Sequence, residues 1–228
     1  MLATALWGGV EVRQTINLLQ VLNNQLVEGI LTKLSQKHLD DFETFWKARL
    51  QCSTQEDQFW NWELKNRVYL SEAIYEGYAI ECEGITQGLM LLATGGHRSR
   101  FEPDRRIVYV HSLATAPWNR PSLQAPITYR LVGSVMLRFA QYRSEELGYG
   151  GLVGLHALQE AEAFYQRMNM INCGADEAKE NLTYFEWYKR RESVFDELGH
   201  LEPGFTHCWR SRNGVQTRRG RTEGISPD

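Results

Sequence analysis

The stretch from Ile107 to Met170 constrains this chain more than any other part of it. It opens on the apolar run Ile107-Val-Tyr-Val-His-Ser-Leu-Ala-Thr115, whose β-branched and aromatic content predicts a strand. A loop bounded by prolines follows, Pro117-Trp-Asn-Arg-Pro121. The turn Tyr129-Arg-Leu-Val-Gly133-Ser134 then runs directly into apolar residues at helical spacing, Val135, Met136, Phe139 and Ala140. A second short strand is expected at Leu152-Val-Gly-Leu-His156, and a second helix over Ala161 to Met168. Strand, glycine turn, helix, strand and helix make a crossover unit. Its glycine turn leaves backbone N–H groups free at a helix start, where they and the helix dipole can hold a phosphate. The pattern therefore points to a phosphorylated cofactor.

Three short motifs in this stretch sharpen the reading. Leu113-Ala114-Thr115, Gly133-Ser134-Val135-Met136-Leu137 and Ala163-Phe164-Tyr165-Gln166-Arg167-Met168-Asn169-Met170 together span the middle third of the chain. The set resembles the core of the GNAT acyltransferases, which move an acyl group from acyl-coenzyme A to an amine. In that resemblance the first motif matches the end of the family's fourth strand beside the pantetheine arm. The second matches the last glycine of the pyrophosphate loop, and the third the family's A-x-x-F-Y-x-x-x-G-F/M helix end. The family loop is Q/R-x-x-G-x-G/A, and two registers fit here. One uses Thr128, Leu131 and Gly133, with Leu131 replacing the first glycine; the other uses Arg130, Gly133 and Val135. The first is preferred because Gly133-Ser134 then starts the helix. Asn169 also stands where glycine is usual, and Asn is the next most tolerant residue of a left-handed helix end.

The resemblance implies a mixed α+β fold. Its central sheet is mostly antiparallel, of about six to seven strands flanked by helices, around a strand–turn–helix–strand–helix coenzyme A core. It implies acetyl-CoA as co-substrate, bound by Leu113, Ala114, Thr115, Arg130, Leu131, Val132, Gly133 and Ser134. It also implies a backbone N–H near Leu113 or Ala114 for the oxyanion, and Tyr165 as the acid for the leaving thiolate. From the residues themselves, Tyr165 could equally be a half-buried aromatic beside Phe164. His111 is the candidate base, sharing a strand face with Tyr109 and Leu113 by simple alternation. His156 is a second, and each could instead be a satisfied core histidine. Glu81 and Glu83 are expected to be solvated. Trp118-Asn119-Arg120 could contact adenine or phosphates, or could pin the loop to the protein.

Elsewhere the chain reads as one domain over 25–200, with an extension over 1–24 and a basic tail over 201–228. In the extension a short edge strand at Ala5 to Val12 and a short helix at Asn17 to Asn24 are the candidates. Gln25 to Thr32 predicts the first central strand. His38 to Arg49 and Asp57 to Val68 carry apolar residues at helical spacing; the tryptophans of the second could line an aromatic acceptor pocket or simply be core. Tyr69 to Glu81 and Gly84 to Leu92, divided by Glu83-Gly84, predict a β-hairpin. Cys173-Gly174 is expected to end the second helical element, Leu182 to Trp187 to form the last strand, and Arg190 to Leu198 a closing helix.

Charge and composition exclude some partners. The formal charge is −3, and from Trp209 onward five arginines face two acids. Such a tail could touch nucleic acid, although its Gly, Ser and Thr content favours a solvated end. No apolar run is long enough to span a bilayer, and no leader pattern opens the chain, so a cytoplasmic protein without a membrane partner is expected. Four cysteines without paired spacing argue against a zinc site or a disulfide framework. The function expected is N-acetyl transfer to a primary amine of a small molecule or protein. The alternatives are a non-catalytic acyl-coenzyme A binding module and a nucleic-acid-associated protein guided by its tail.

Overall fold

The structure, a computed structural model, describes residues 12–188. The closing helix and basic tail expected after residue 189 lie outside the described residues, as does most of the edge strand expected at Ala5 to Val12. Among the described residues nine strands form one sheet: β1 (Arg13–Gln20), β2 (Gln25–Lys33), β3 (Tyr75–Cys82), β4 (Ile85–Ala93), β5 (Val108–Thr115), β6 (Tyr129–Arg130), β7 (Val153–Ala157), β8 (Ile171–Asp176) and β9 (Leu182–Trp187). Their order is β6-β1-β2-β3-β4-β5-β7-β9-β8. Every pairing is antiparallel except that of β5 with β7. This is the mixed, mostly antiparallel α+β architecture expected, with more strands than the six or seven anticipated.

Two of the additional strands correct the sequence reading. Arg13–Gln20 pairs with β2 along its full length, so Asn17 begins no helix and the sheet reaches into the supposed extension. Its alternation (Ile16 and Leu18 buried, Thr15 and Asn17 exposed) is a strand signal, but only two inward residues carry it. Ile171–Asp176 is strand β8 along the sheet edge rather than the end of an element. It is mostly exposed, and therefore lacks the apolar pattern that would announce it.

The helices cover both faces. On one side lie α1 (Gln36–Asp41), a π-helical turn (Phe42–Trp46), α2 (Lys47–Gln51) and α3 (Trp62–Tyr69). Leu39, Phe42, Trp46, Leu50 and Trp62 pack there on Ala79, Leu89, Leu91 and Ala114. On the other side α4 (Val132–Glu146) places Val132, Met136, Leu137, Phe139 and Ala140 against Ile80, Met90, Leu92, Val108 and Val110. A short helix, α5 (Glu162–Arg167), follows β7. Val132 and Met136 approach so closely that a Cβ on Gly88 of β4 would lie 2.8 Å from each. No helix among the described residues is long and apolar enough to cross a membrane.

Candidate active site

A bulge in β5 creates the site. Opposite β4, Leu91 faces Ser112 but Leu92 faces Val110, so His111 is the extra residue. Simple alternation therefore fails. Leu113 packs with Val110 against the α4 side, while Ala114 turns to the α3 side and Tyr109 to a third cluster with Ile107, Leu152 and Tyr184. The strand face assigned to Tyr109, His111 and Leu113 together does not exist. Beyond this point β5 also leaves its parallel neighbour: it pairs with β7 only at Val108↔Val153 and Tyr109↔Gly154. The Ala116 N–H bonds Gln87 O on the β4 side. By alternation the Leu113 N–H points the other way, into the gap, without a ladder partner.

A cavity of about 550 Å³ occupies this gap. Leu113, Ala114, Thr115, Arg130, Leu131, Val132, Gly133, Ser134 and Tyr165 all line it, so the residues expected to hold a cofactor and the candidate acid come together. The first backbone bond of α4 is Val135 N–H to Leu131 O, and no side chain caps the helix. The N–H groups of Val132, Gly133 and Ser134 thus remain unspent at the cavity wall. Leu131 holds the left-handed conformation that favours glycine, φ 77°. The residue expected to replace the first loop glycine thus has a glycine-like backbone. Asn169 does the same at the end of the α5 segment, with φ 59°. Gly133 is a cradle: a Cβ there would meet Phe164 at 3.2 Å and Thr115 at 3.7 Å. Arg130 and Arg167 add positive charge to the lining. These groups fit the pyrophosphate of a nucleotide cofactor.

Tyr165 is buried between Phe164 and Phe185, and its hydroxyl makes no hydrogen bond among the described residues. Burial, with Tyr109 adding to it, pushes its pKa well above the usual phenol value, so it carries its proton at neutral pH. His111 lies outside the cavity lining. Its ring sits 4.2 Å from that of Tyr69, and Nδ1 meets Ser112 Oγ at 3.1 Å. Burial and then Lys65 lower its pKa to about 4. His156 has both ring nitrogens engaged: Nδ1 accepts from Tyr109 at 2.8 Å and Nε2 donates to Asp176 at 2.9 Å. No lone pair is left for a substrate.

Sequence reasoning missed one wall of the cavity. Gln55, Glu56 and Asp57, in the loop between α2 and α3, form a strap across it. Arg120 grips Asp57 through two bonds of 2.7 Å and Thr115 O through Nε at 2.8 Å. At the far end Gln55 Nε2 donates to Glu160 at 2.8 Å and the Glu160 N–H to Glu56 at 2.9 Å. Trp118 and Asn119 both bond Gln87 Oε1, at 2.8 and 3.0 Å. The Trp118-Asn119-Arg120 segment therefore pins its loop, the second of the two readings open for it. Glu81 and Glu83 are likewise engaged: Glu81 meets His38 Nε2 at 2.7 Å and Glu83 accepts from Tyr129 at 3.0 Å.

No family model and no curated protein matches the chain. Solved structures do match, and GNAT-family acetyltransferases recur among them. The PaiA N-acetyltransferase of Thermoplasma acidophilum in complex with coenzyme A is 12% identical, with a TM-score of 0.48 over 70% of this chain and 98% of that one. A Bacillus subtilis N-acetyltransferase in complex with coenzyme A is 15% identical, with a TM-score of 0.44 over 78% and 97%. A GNAT acetyltransferase of Listeria monocytogenes is 16% identical, with a TM-score of 0.45 over 71% and 95%.

Proposed function

We propose that the protein is a GNAT-type N-acetyltransferase, which transfers an acetyl group from acetyl-coenzyme A to a primary amine by direct attack. The observation that carries this reading is the meeting, in one cavity, of the unspent α4 N–H groups with Gly133, the splayed end of β5, and Tyr165. In the proposal the pyrophosphate lies on the N–H groups of Val132, Gly133 and Ser134, with Arg130 and Arg167 nearby. The pantetheine runs past Thr115 and Ala114 toward the gap between β5 and β7. The Leu113 N–H then faces the thioester carbonyl and takes up the negative charge that develops there.

Tyr165 supplies the proton for the departing thiolate. Burial keeps the hydroxyl protonated and also makes it a weaker acid, so it gives up its proton only as the thiolate charge develops beside it. His111 receives the amine proton through water, since its Nε2 has no partner among the described residues while both nitrogens of His156 are spent. The neutral histidine is a weak base here, so the amine must arrive largely deprotonated or lose its proton late. Thiol release from acetyl-coenzyme A across an amine panel, with coenzyme A binding measured by calorimetry, tests the reading. Binding without amine-dependent thiol release would leave an acyl-coenzyme A binding module, and failure of both would end it.

A further inference from the structure

A second cavity, of about 460 Å³, opens beside the Trp118 loop. Phe45, Ile85, Trp118 and Tyr129 give it apolar and aromatic walls, and Arg49 and Glu83 bring one charge of each sign. Tyr129 lines both cavities, whereas Leu113, Gly133 and Tyr165 line only the first. Side-chain bonds close the wall between the two. Trp118 and Asn119 both donate to Gln87 Oε1, and the Tyr129 N–H donates to Asn119 Oδ1 at 2.9 Å. The second cavity is therefore a separate site.

Charges close by in the chain are matched: Glu43 pairs with Lys47, and Lys37 with both Asp41 and Glu81. The two charges in the cavity are not. Among the described residues Arg49 has no carboxylate partner, and its guanidinium lies 5.5 Å from the centre of the Trp118 ring. Glu83 meets no cation there; its Oε2 accepts from the Tyr129 hydroxyl at 3.0 Å, which leaves Oε1 for a ligand. The two face one cavity without pairing with each other, so the space between them stays open. Phe45 stands 43% exposed in the same lining, a large apolar ring left facing water. Small-molecule sites have this make-up, mostly apolar walls with a few polar groups that fix orientation. A singly charged ligand would satisfy one group and leave the other unmatched. A zwitterion would set its carboxylate on the Arg49 fork and its ammonium on Glu83, both through charge-assisted bonds. Its side chain would then lie on Phe45 and Trp118, where an aromatic ring packs best.

We propose that this cavity is a second binding site, which takes a free α-amino acid with an aromatic side chain. Arg49 holds its carboxylate and Glu83 its ammonium. The site does not depend on the acyl-transfer reading.

The test titrates the full-length chain, without acetyl-coenzyme A, with phenylalanine, 3-phenylpropionate and phenethylamine, by calorimetry and tryptophan fluorescence. Phenylalanine should bind the parent, and the other two, each missing one charge, about tenfold or more weakly. Arg49→Met should erase the advantage of phenylalanine over phenethylamine. Glu83→Gln should erase its advantage over 3-phenylpropionate. Both positions are exposed, so both variants should fold, and coenzyme A affinity should match the parent because neither side chain lines the first cavity. Phenylalanine that fails to bind the parent, or that binds no better than 3-phenylpropionate, overturns the proposal. Binding that neither substitution weakens overturns it as well, because the amino acid would then sit elsewhere, as an amine in the acyl-transfer site. Coenzyme A affinity that falls in step with phenylalanine affinity also overturns it, since the substitutions would be acting through the Tyr129 wall. A parent that binds phenylalanine through Arg49 and Glu83 but not coenzyme A leaves this site standing and brings down the acyl-transfer reading alone.

Discussion

Gly133 at the start of α4 lies against Phe164 of α5, so closely that a Cβ on Gly133 would come within 3.2 Å of the Phe164 ring. The contact fixes the mouth of the cavity: the unspent N–H groups of α4 on one side, the tyrosine-bearing helix on the other.

Gly133→Asp tests that mouth. An acidic residue in the first turn suits the helix dipole, so the fold should survive. Its carboxylate would face the pyrophosphate, and like charges in contact cost several kcal/mol. Coenzyme A affinity measured by calorimetry should fall roughly 100-fold or more. Unchanged affinity in the folded variant would move the cofactor elsewhere.

Tyr165→Phe separates enzyme from binding module. The hydroxyl makes no hydrogen bond among the described residues and the ring packs on Phe164 and Phe185, so stability should hardly change. Turnover should fall by about 10²–10⁴ if the hydroxyl is the general acid, with acetyl-coenzyme A affinity kept. Equal turnover while chemistry limits the rate would assign the proton to another group.

His111 should titrate near pH 4 by NMR, well below the ordinary histidine value, because burial and Lys65 disfavour its charge. The unfolded chain then binds the extra proton between pH 4 and about 6.5, so this residue's contribution to stability is full above that window and is lost as pH falls through it. His111→Gln should flatten the dependence of stability on pH there. An unaltered slope, or titration near 6.5, would refute the assignment.

Asp57→Ala removes one partner of a buried bidentate pair, with side chains 12% and 9% exposed for Arg120 and Asp57. An uncompensated Arg120 should cost about 3–5 kcal/mol, read by chemical denaturation. The strap across the cavity should loosen as well, which faster proteolysis in the α2–α3 loop would report.

Leu131→Gly should stabilise. Leu131 is 46% exposed and left-handed at φ 77°, so little packing is lost and backbone strain is relieved. The expected gain is about 1 kcal/mol, seen as a higher Tm with coenzyme A affinity kept. A lower Tm would mean that the leucine side chain holds the turn.

The sequence by itself determined the strand, turn, helix, strand and helix from Ile107 to Met168, because each element carries its own periodicity or turn residues. It also carried the two departures at Leu131 and Asn169, and both residues keep the glycine-like backbone. Tertiary structure alone decided the rest. β1 and β8 are edge-side strands with too few buried residues to signal themselves, and they exist because neighbours offer unpaired backbone. The His111 bulge is set by register against β4, and it reverses the faces that alternation assigns along β5. The strap of Gln55, Glu56 and Asp57 depends on Arg120 and Glu160, 63 to 105 residues away along the chain. Local pattern reports what each residue does to its own backbone; pairing register and long-range ion pairs are properties of two segments at once, and only the folded chain brings them together.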